Sequence, residues 1–283
     1  MSFAIRAFQG QFGRIALLDM NGPLVTHAHS QCHVLLKVGG EDTCFSVRNV
    51  SVPLTDRTMV LINSWEPHAY THRPDAPRTL ILGLYIEPQW LVGIEKALIT
   101  SGNPGFFRSS CAEVSETVRN MADALAAEML CGAELAGPEL EERLFGLMIA
   151  VIESFSRWRN FGLWQADSLM RVQDPRIRRA IAYMRANVGA DLDIDSLAAK
   201  ACLSRAHFFK LFQQSTNVTP QVYANVLRLE TAIQDVAHTQ EALAELSGRL
   251  GFSAQSHFTR FFHQHVGATP SQYRKVVDVL AQS

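Results

Sequence analysis

Four histidines near the start of the chain have the side chains best suited to coordination chemistry. His27, His29 and His33 lie close together, and His68 follows later. On a straight strand, residues 27, 29 and 33 point to one side, because successive side chains alternate between the two faces. Neutral imidazole nitrogens that share one cavity suit Zn or another first-row divalent metal such as Fe, Ni or Mn. The same rings could instead bind an organic effector or pack against one another.

Two aromatic residues near His68 extend this candidate site. Trp65 and Tyr70, and also Tyr85 further along the chain, could line a ligand cavity, although aromatic rings in a small β-domain more often only pack. The candidate metal ligands are His27, His29, His33 and His68, and the candidate effector-binding residues are His27, His29, His33, Trp65, His68 and Tyr70. These residue types do not distinguish a sugar from an aromatic acid or an amine.

A segment that occurs twice near the end of the chain carries the second set of candidate residues. Residues 207–223 and 257–273 align without a gap. The seven identical pairs are His207/His257, Phe208/Phe258, Phe212/Phe262, Gln214/Gln264, Thr219/Thr269, Pro220/Pro270 and Tyr223/Tyr273. Because the shared phenylalanines recur at helical spacing, each copy predicts a helix with one buried face.

The opposite face of each helix is mostly polar. It comprises Arg205, Ala206, Phe209, Lys210 and Gln213 in the first copy, and Gln255, Ser256, Thr259, Arg260 and His263 in the second. Such side chains bind base edges and phosphates in a major groove, and an outward Phe209 suits a thymine methyl group. A polar helix face is more often only solvated, and Phe209 could pack against a neighbouring helix. The repeat, and the turn before each helix, favour DNA.

Each helix follows a shorter helix and a turn, as in a helix-turn-helix unit. In the first unit, Asp193 can cap a helix over residues 194–201, and Ser204 can cap the next helix. In the second unit, Gly251 can end the first helix, because the left-handed position after a helix favours glycine. Either Ser253 or Ala254 begins the second helix, so its register stays open by one residue.

A predicted helix over residues 220–236 joins the two units. Seventeen residues at about 1.5 Å each span roughly 26 Å. This length would place the two outward helices about 34 Å apart, which is one turn of DNA. Residues 175–283 hold 12 Lys and Arg against 8 Asp and Glu, whereas the remainder holds 14 against 19. This asymmetry favours nucleic acid as the partner of the C-terminal part.

Residues 175–275 resemble the DNA-binding domain of AraC/XylS-type transcriptional regulators. The resemblance is carried by Gly251, Phe252, Ser253, Phe258, Arg260, Phe262, Gly267, Thr269, Pro270, Tyr273 and Arg274. It implies a regulator, more often an activator, that binds double-stranded promoter DNA and contacts RNA polymerase. It also implies base contacts by Ala206, Phe209, Lys210, Gln255, Ser256, Thr259 and Arg260. Asn217 and Ala254 depart from the family pattern, which has a glycine at the first position and often an aspartate cap at the second.

The first 86 residues predict β structure. Short apolar runs at 15–18, 34–38, 43–47, 59–62 and 79–86 are separated by turns rich in Gly, Pro, Asn and Asp, a pattern typical of a sandwich or small barrel. The segments 27–33 and 63–68 resemble the two cupin motifs. The resemblance implies a cupin-like, effector-binding barrel over residues 1–86, although His33 stands where metal-binding cupins often have a glutamate.

Helical periodicity follows, with helices predicted at residues 88–100, 115–131 and 139–158 and a linker at 159–174. The third helix carries an apolar stripe of Leu144, Leu147, Met148, Val151 and Phe155. Helices of this region form dimer contacts in related regulators. Residues 87–158 are therefore the predicted dimerisation region of a homodimer, with burial of the stripe in its own domain as the alternative.

Composition sets the frame for these predictions. The chain has 283 residues, 47% of them apolar, which is enough for two domains with a core each. Five scattered cysteines, no signal peptide and no membrane-spanning run predict a cytoplasmic protein. No nucleophile elbow, phosphate loop or catalytic carboxylate pair is present in the sequence.

The predicted fold class is α+β, with residues 175–283 as an all-α double helix-turn-helix domain. The predicted function is transcriptional regulation in response to a small molecule, without enzymatic activity. The alternative is a cupin-type metal-dependent enzyme with an appended DNA-binding module.

Overall fold

Strands form most of the N-terminal part. The computed structural model describes residues 2–72, 75–94, 96–102, 105–132, 137–156, 174–191 and 193–280. The strands are β1 (Phe3–Gly10), β2 (Gly13–Met20), β3 (Cys32–Gly40), β4 (Thr43–Val47), β5 (Val50–Leu54), β6 (Thr58–Ile62), β7 (His68–Thr71), β8 (Thr79–Ile86), β9 (Cys111–Glu113) and β10 (Val277–Val279). The apolar runs that predict strands lie in β2, β3, β4, β6 and β8. In contrast, β5 contains Pro53, and β7, β9 and β10 are too short to show a period.

The described strands form two sheets and do not close into a barrel. The larger sheet has the order β10-β1-β2-β8-β3-β6-β9, and the smaller sheet has the order β5-β4-β7. The closed barrel predicted for residues 1–86 is therefore not found. The two sheets stay separate, because no described strand of the smaller sheet pairs with a strand of the larger one.

Strand β10 comes from the far end of the chain and pairs in parallel with β1. Ala7 is in register with Val277, and the Leu280 amide donates to the Gln9 carbonyl at 2.9 Å. An ion pair of 3.0 Å between Arg6 and Asp278 adds to the contact. A segment that follows the second helix-turn-helix unit thus completes the N-terminal sheet.

The helices after the sheet are α1 (Pro88–Ile94), a 3-10 helix (Lys96–Gly102), α2 (Glu116–Cys131) and α3 (Gly137–Phe155). The helix predicted at 88–100 is therefore wrong in length, because the chain tightens into a 3-10 helix after α1. Ser115 caps α2 by accepting a hydrogen bond from the Val118 amide at 3.3 Å. The last residues of the helix predicted at 139–158, and most of the predicted linker, lie outside the described residues.

The apolar stripe of α3 is core. Leu144, Leu147, Met148 and Val151 are at most 1% exposed, and they pack with α2 and one face of the larger sheet in a single cluster. Phe155 is partly buried against the same cluster. The prediction that this stripe forms the dimer contact is therefore wrong, since its surface is already covered within one chain. Dimerisation through another surface stays a prediction.

Seven helices follow in the described C-terminal part. They are α4 (Pro175–Ala186), α5 (Ile194–Lys200), α6 (Arg205–Thr216), α7 (Pro220–His238), α8 (Leu243–Arg249), α9 (Gln255–Val266) and α10 (Pro270–Val276). The predicted caps Asp193 and Ser204 are confirmed, with their side chains accepting from backbone amides at the starts of α5 and α6. Asn217 and Gly267 follow α6 and α9 in the left-handed conformation, with φ of 63° and 81°.

The two helix-turn-helix units belong to different cores. The first unit packs around Phe208, Phe212 and Tyr223 with α4, and takes in only Ala28 from the buried residues of the N-terminal part. The second unit, with Phe258, Phe262 and others, shares one core with both sheets. In the turn of the second unit, Gly251 has φ of 80° and lies against the backbone of Gly189, which follows α4, and a Cβ atom at Gly251 would collide with it. Among the described residues, no helix is long and apolar enough to cross a membrane.

Candidate DNA-binding face and histidine cavity

Helix α6 presents the first set of predicted DNA-binding residues. The Ser204 hydroxyl fixes its start by accepting from the His207 amide at 3.4 Å, and Phe208 and Phe212 hold its inner face. The side chains left in solvent are Arg205, Ala206, Lys210 and Gln213. The outer face is therefore mostly polar, with Ala206 and the exposed part of Phe209 as its apolar positions.

Two residues on this face have partners within the protein. Arg205 forms a 2.6 Å ion pair with Asp195, and both side chains are more than half exposed. Phe209 is partly buried against the core of the first unit, and the Arg205 guanidinium lies 5.7 Å from its ring centre. One part of the Phe209 ring therefore packs against the first unit, as the alternative to a thymine contact predicted, and the rest is exposed to solvent.

Helix α9 presents the second set, and the structure resolves its register. The helix begins at Gln255 after Ala254, which makes no side-chain capping hydrogen bond. Ser253 does not cap the helix, because its hydroxyl bonds the His257 ring at 2.9 Å instead. The residues Gln255, Ser256, Thr259, Arg260, His263 and Thr269 line one open concave surface. Gln255, Ser256 and Arg260 are exposed, and Thr259 is partly buried.

Helix α7 holds the two units apart. It begins with Pro220 after the Thr219 cap. Its 19 residues span about 28 Å at about 1.5 Å per residue. Its first half packs in the core of the first unit, and its second half, including Leu229 and Val236, packs in the core of the second. The spacer is therefore a packed helix rather than a loose linker.

The four predicted histidines meet in one buried cluster. His27 and His68 exchange two backbone hydrogen bonds of 2.9 and 2.8 Å, and their ring centres are 4.3 Å apart. The His29 ring lies 4.8 Å from His68 and 4.9 Å from His33. His27 and His29 lie in a loop with a single bridge rather than on a strand. They converge because the loop folds over β7, so the alternation argument is wrong for them.

Hydrogen bonds orient three of the rings. The Nδ1 atoms of His27 and His68 bond the carbonyls of Val25 and Glu66 at 2.7 and 2.9 Å, and Nδ1 of His29 faces the Gln31 carbonyl at 3.3 Å. In this tautomer Nδ1 donates, which leaves Nε2 as an acceptor. Nε2 of His29 and of His68 and both ring nitrogens of His33 are buried without a hydrogen-bond partner.

Burial keeps the cluster neutral. It lowers the pKa of His27, His29 and His33 well below the ordinary value, with neighbouring positive charges adding to the effect, and it lowers the pKa of His68 to about 3. Neutral imidazoles are the form that binds a metal. His27, His29 and His68 place ligand nitrogens within 4.8 Å of one another. The donor set therefore fits a first-row divalent ion, which takes imidazole nitrogen at about 2.0–2.1 Å.

One arginine beside the cluster is absent from the sequence-based predictions. The Arg14 guanidinium lies 3.7 Å from the centre of the Tyr85 ring, and Tyr85 stacks on His33 at 3.9 Å. Its positive charge contributes to the lowered pKa of His27, His29 and His33. A charged residue directly before the apolar run of β2 is a signal of a special environment, although the sequence does not show which groups it meets.

The DNA-binding part closes the cavity in front of the histidines. The cavity lies between the N-terminal sheet and α7, and it is lined by Gln9, Gly13, Arg14, His27, His29, Gln31, Tyr85, Glu87, Leu229, Glu230, Ile233, Gln234 and His265. The Glu230 carboxylate accepts from the Ser30 hydroxyl at 2.6 Å and from its amide at 3.2 Å. The His265 ring, from α9, lies 5.7 Å from His27. Any ligand in this cavity therefore contacts both parts of the chain.

Of the three aromatic residues predicted to line a ligand cavity, Tyr85 lines this one, whereas Trp65 and Tyr70 lie outside it. Trp65 stacks on Tyr223 of the first unit, with ring centres 4.5 Å apart and an interplanar angle of 5°. Tyr70 is 1% exposed, packs against Phe45 at 5.1 Å and receives a hydrogen bond from Thr43 at 3.2 Å. The structure thus places Tyr70 in the core and Trp65 at the contact between the two parts, so neither supports its predicted effector-binding role in this cavity.

Comparison with known proteins supports the C-terminal assignment. Residues 197–276 match the family model described as helix-turn-helix domain. The transcriptional activator RhaS of Citrobacter koseri is 24% identical over 231 residues, which cover 80% of this chain and 78% of RhaS. The regulator ArgR of Pseudomonas aeruginosa is 29% identical over 143 residues, which cover 50% of this chain and 41% of ArgR.

The likeness of the whole chain is one of fold. A solved structure of ToxT from Vibrio cholerae matches with a TM-score of 0.56 at 11% identity, covering 93% of this chain and 97% of ToxT. An uncharacterised helix-turn-helix regulator of Haemophilus influenzae is 30% identical over 111 residues, which cover 39% of this chain and 37% of that protein. This chain thus spans about two fifths of the Haemophilus and Pseudomonas relatives.

Proposed function

We propose that this chain, whose C-terminal part is an AraC/XylS-type DNA-binding domain, is a sequence-specific transcriptional regulator that responds to a small molecule. The observation that carries the proposal is the pair of exposed polar faces on α6 and α9, joined by the packed helix α7. The two helices enter consecutive major grooves of one site. Activation through contact with RNA polymerase is part of the proposal by resemblance to the family.

The relatives agree with the absence of an enzymatic role. They are named as transcriptional regulators and activators, in agreement with the prediction that the protein is not an enzyme. The N-terminal part serves as the effector-binding, cupin-like domain, and the cavity beside the histidines is its ligand site. Its wall of α7 and α9 residues gives the ligand a direct contact with the DNA-binding part.

Selection of DNA from a random double-stranded library by the full-length protein tests this proposal. We expect one enriched site with two protected stretches about one helical turn apart. Lys210→Ala with Arg260→Ala should weaken binding to that site by at least about tenfold, since removing one such contact costs about 1–3 kcal/mol. Arg57→Ala, at an exposed position on the N-terminal part, is the control that keeps full affinity. Equal affinity of the double variant and the wild type would refute the assignment.

The convergent nitrogens favour a second role for the same cluster. We propose that His27, His29 and His68 hold one divalent ion such as Zn, because their ligand nitrogens lie within 4.8 Å of one another and the buried Nε2 atoms of His29 and His68 have no hydrogen-bond partner. Elemental analysis of protein purified without chelator should find about one ion per chain. His27→Ala with His29→Ala should remove the ion and leave DNA binding intact. No metal in the wild type, and none taken up from Zn, Fe, Ni or Mn, would refute this role.

A further inference from the structure

We infer that the cavity between the N-terminal sheet and α7 binds a small zwitterion, a molecule of amino-acid size that carries both a carboxylate and an ammonium group. The inference rests on the proposed function and names the chemical class of the effector. The cavity is lined by one cationic side chain, Arg14, and by two carboxylates, Glu87 and Glu230. In the described chain, Arg14 forms no ion pair with either carboxylate.

Arg14 supplies the site for the carboxylate. It is 9% exposed and lines the cavity, with the face of its guanidinium on the Tyr85 ring. Among the described residues it forms no ion pair with Asp or Glu. A buried charge without an anionic partner is costly, and a guanidinium held flat by an aromatic ring offers its N–H edge for two parallel bonds to a carboxylate.

Glu87 and Glu230 supply the site for the ammonium group. One oxygen of Glu87 accepts from Gln31 at 2.5 Å, and one oxygen of Glu230 accepts from Ser30. Neither carboxylate forms an ion pair with Lys or Arg in the described chain. Burial, and to a smaller extent the negative charge of Glu87, raises the pKa of Glu230. Both carboxylates line the same cavity, and a ligand cation bound there offsets their like charges.

A buried hydrogen-bond acceptor in the same cavity also favours a ligand with an ammonium group. The Oε1 atom of Gln9 has no hydrogen-bond partner, although the residue is only 3% exposed and lines the same cavity. Such an atom calls for a donor from outside the protein. An ammonium group has three donors and can serve a carboxylate and this amide oxygen together.

The groups that recognise the zwitterion come from both parts of the chain. Arg14 and Glu87 belong to the N-terminal part, and Glu230 lies on α7, the helix that joins the two helix-turn-helix units. The nearby Arg185 donates to the Tyr223 hydroxyl at 3.3 Å, and its charge partly offsets the rise in the pKa of Glu230, but the two side chains form no ion pair in the described chain. A zwitterion in the cavity therefore joins α7 to the sheet, and binding sets the position of the DNA-binding part.

Calorimetric titration of the full-length protein with the twenty standard amino acids tests the inference. For each one that binds, the matched acid without the amino group and the matched amine without the carboxylate are titrated as well. We expect at least one amino acid to bind, and both single-ended analogues to bind at least about tenfold more weakly, because each lacks one charge-assisted contact. Equal binding of either analogue, or no binding by any of the twenty, would overturn the inference.

Variants locate the site. Arg14→Gln should abolish the preference for the amino acid over its amine, and Glu230→Gln should abolish the preference over its deaminated acid. The matched controls Arg57→Gln and Glu245→Gln, both at exposed positions outside the cavity, should bind as the wild type does. Because Arg14 is buried, the Glu230 variant keeps the test decisive if Arg14→Gln does not fold, and unchanged discrimination by it contradicts the inference.

DNA binding by the same preparation separates the two proposals. Protein that binds its selected DNA site but no amino acid refutes only the zwitterion. Protein that binds an amino acid with the expected discrimination but selects no DNA site refutes the proposed function and leaves the ligand assignment standing.

Discussion

The two helix-turn-helix units share a sequence pattern but differ in what holds them in place. The first unit has a core of its own, and among the described residues of the N-terminal part only Ala28 is buried in it, with Trp65 partly buried beside it. In the second unit, Phe258, Phe262 and Tyr273 lie in one cluster with residues of both sheets, and Gly267 packs against Met20. The repeated sequence therefore specifies the fold of each unit, whereas the surfaces around a unit decide whether it is packed against the N-terminal sheets.

Removing the equivalent core ring from each unit is the strongest test of this difference. Phe212 and Phe262 are both 0% exposed, so replacing either by Ala should cost about 3–5 kcal/mol. Phe262→Ala should also speed amide exchange in β1 and β2, because those strands share its core, whereas Phe212→Ala should leave them protected. Hydrogen-exchange mass spectrometry measures both. Unchanged protection of β1 and β2 in the two variants would show that the second unit is not anchored.

The helix caps give a smaller, local contrast. Ser204→Ala should destabilise the first unit by about 1 kcal/mol, because it removes the hydrogen bond to the His207 amide. Ala254→Ser should instead stabilise the second unit by about 1 kcal/mol, since Ala254 is an extended cap without a side-chain bond. Urea denaturation followed in each unit measures both changes. Ala244→Ser, the same change at an exposed position within α8, should give no gain.

The stacked pair Trp65–Tyr223 gives the smallest expected effect. It joins the N-terminal part to the first unit, and aromatic pairs contribute about 0.5–1.5 kcal/mol beyond their buried area. Because Trp65 is partly exposed, we expect a coupling energy of about 0.5 kcal/mol in a double-mutant cycle of Trp65→Ala with Tyr223→Leu. A coupling energy of zero would mean that the stacked pair does not hold the first unit against the N-terminal part.

Local features of the fold could be predicted from the sequence. The repeat, the caps Asp193 and Ser204 and the turn residue Gly251 each depend on a few neighbouring residues, and the structure confirms them. The register of α9 stayed open only because Ser253 and Ala254 offered two starts of similar quality. Local hydrogen bonding decides such features, and the sequence displays it directly.

Features that depend on distant surfaces could not be predicted. The α3 stripe has the same pattern whether it meets a partner or its own sheet, and it meets its own sheet. The convergence of four histidines was foreseen, but Arg14 and Glu230, which come from β2 and α7, were not. Their meeting depends on how the DNA-binding part packs on the sheet, which no local periodicity encodes.

The parallel pairing of β1 with β10 has a consequence for synthesis on the ribosome. Arg6 and Asp278 are 272 positions apart, which at about 5–20 residues per second corresponds to roughly 14–54 s of translation. During that interval the outer edge of β1 has no strand beside it, and open edges invite pairing with other chains. Arg6 lies on this edge, and a charged side chain there disfavours such pairing. Arg6 thus disfavours pairing with other chains during synthesis, and it forms its ion pair with Asp278 once the chain is complete.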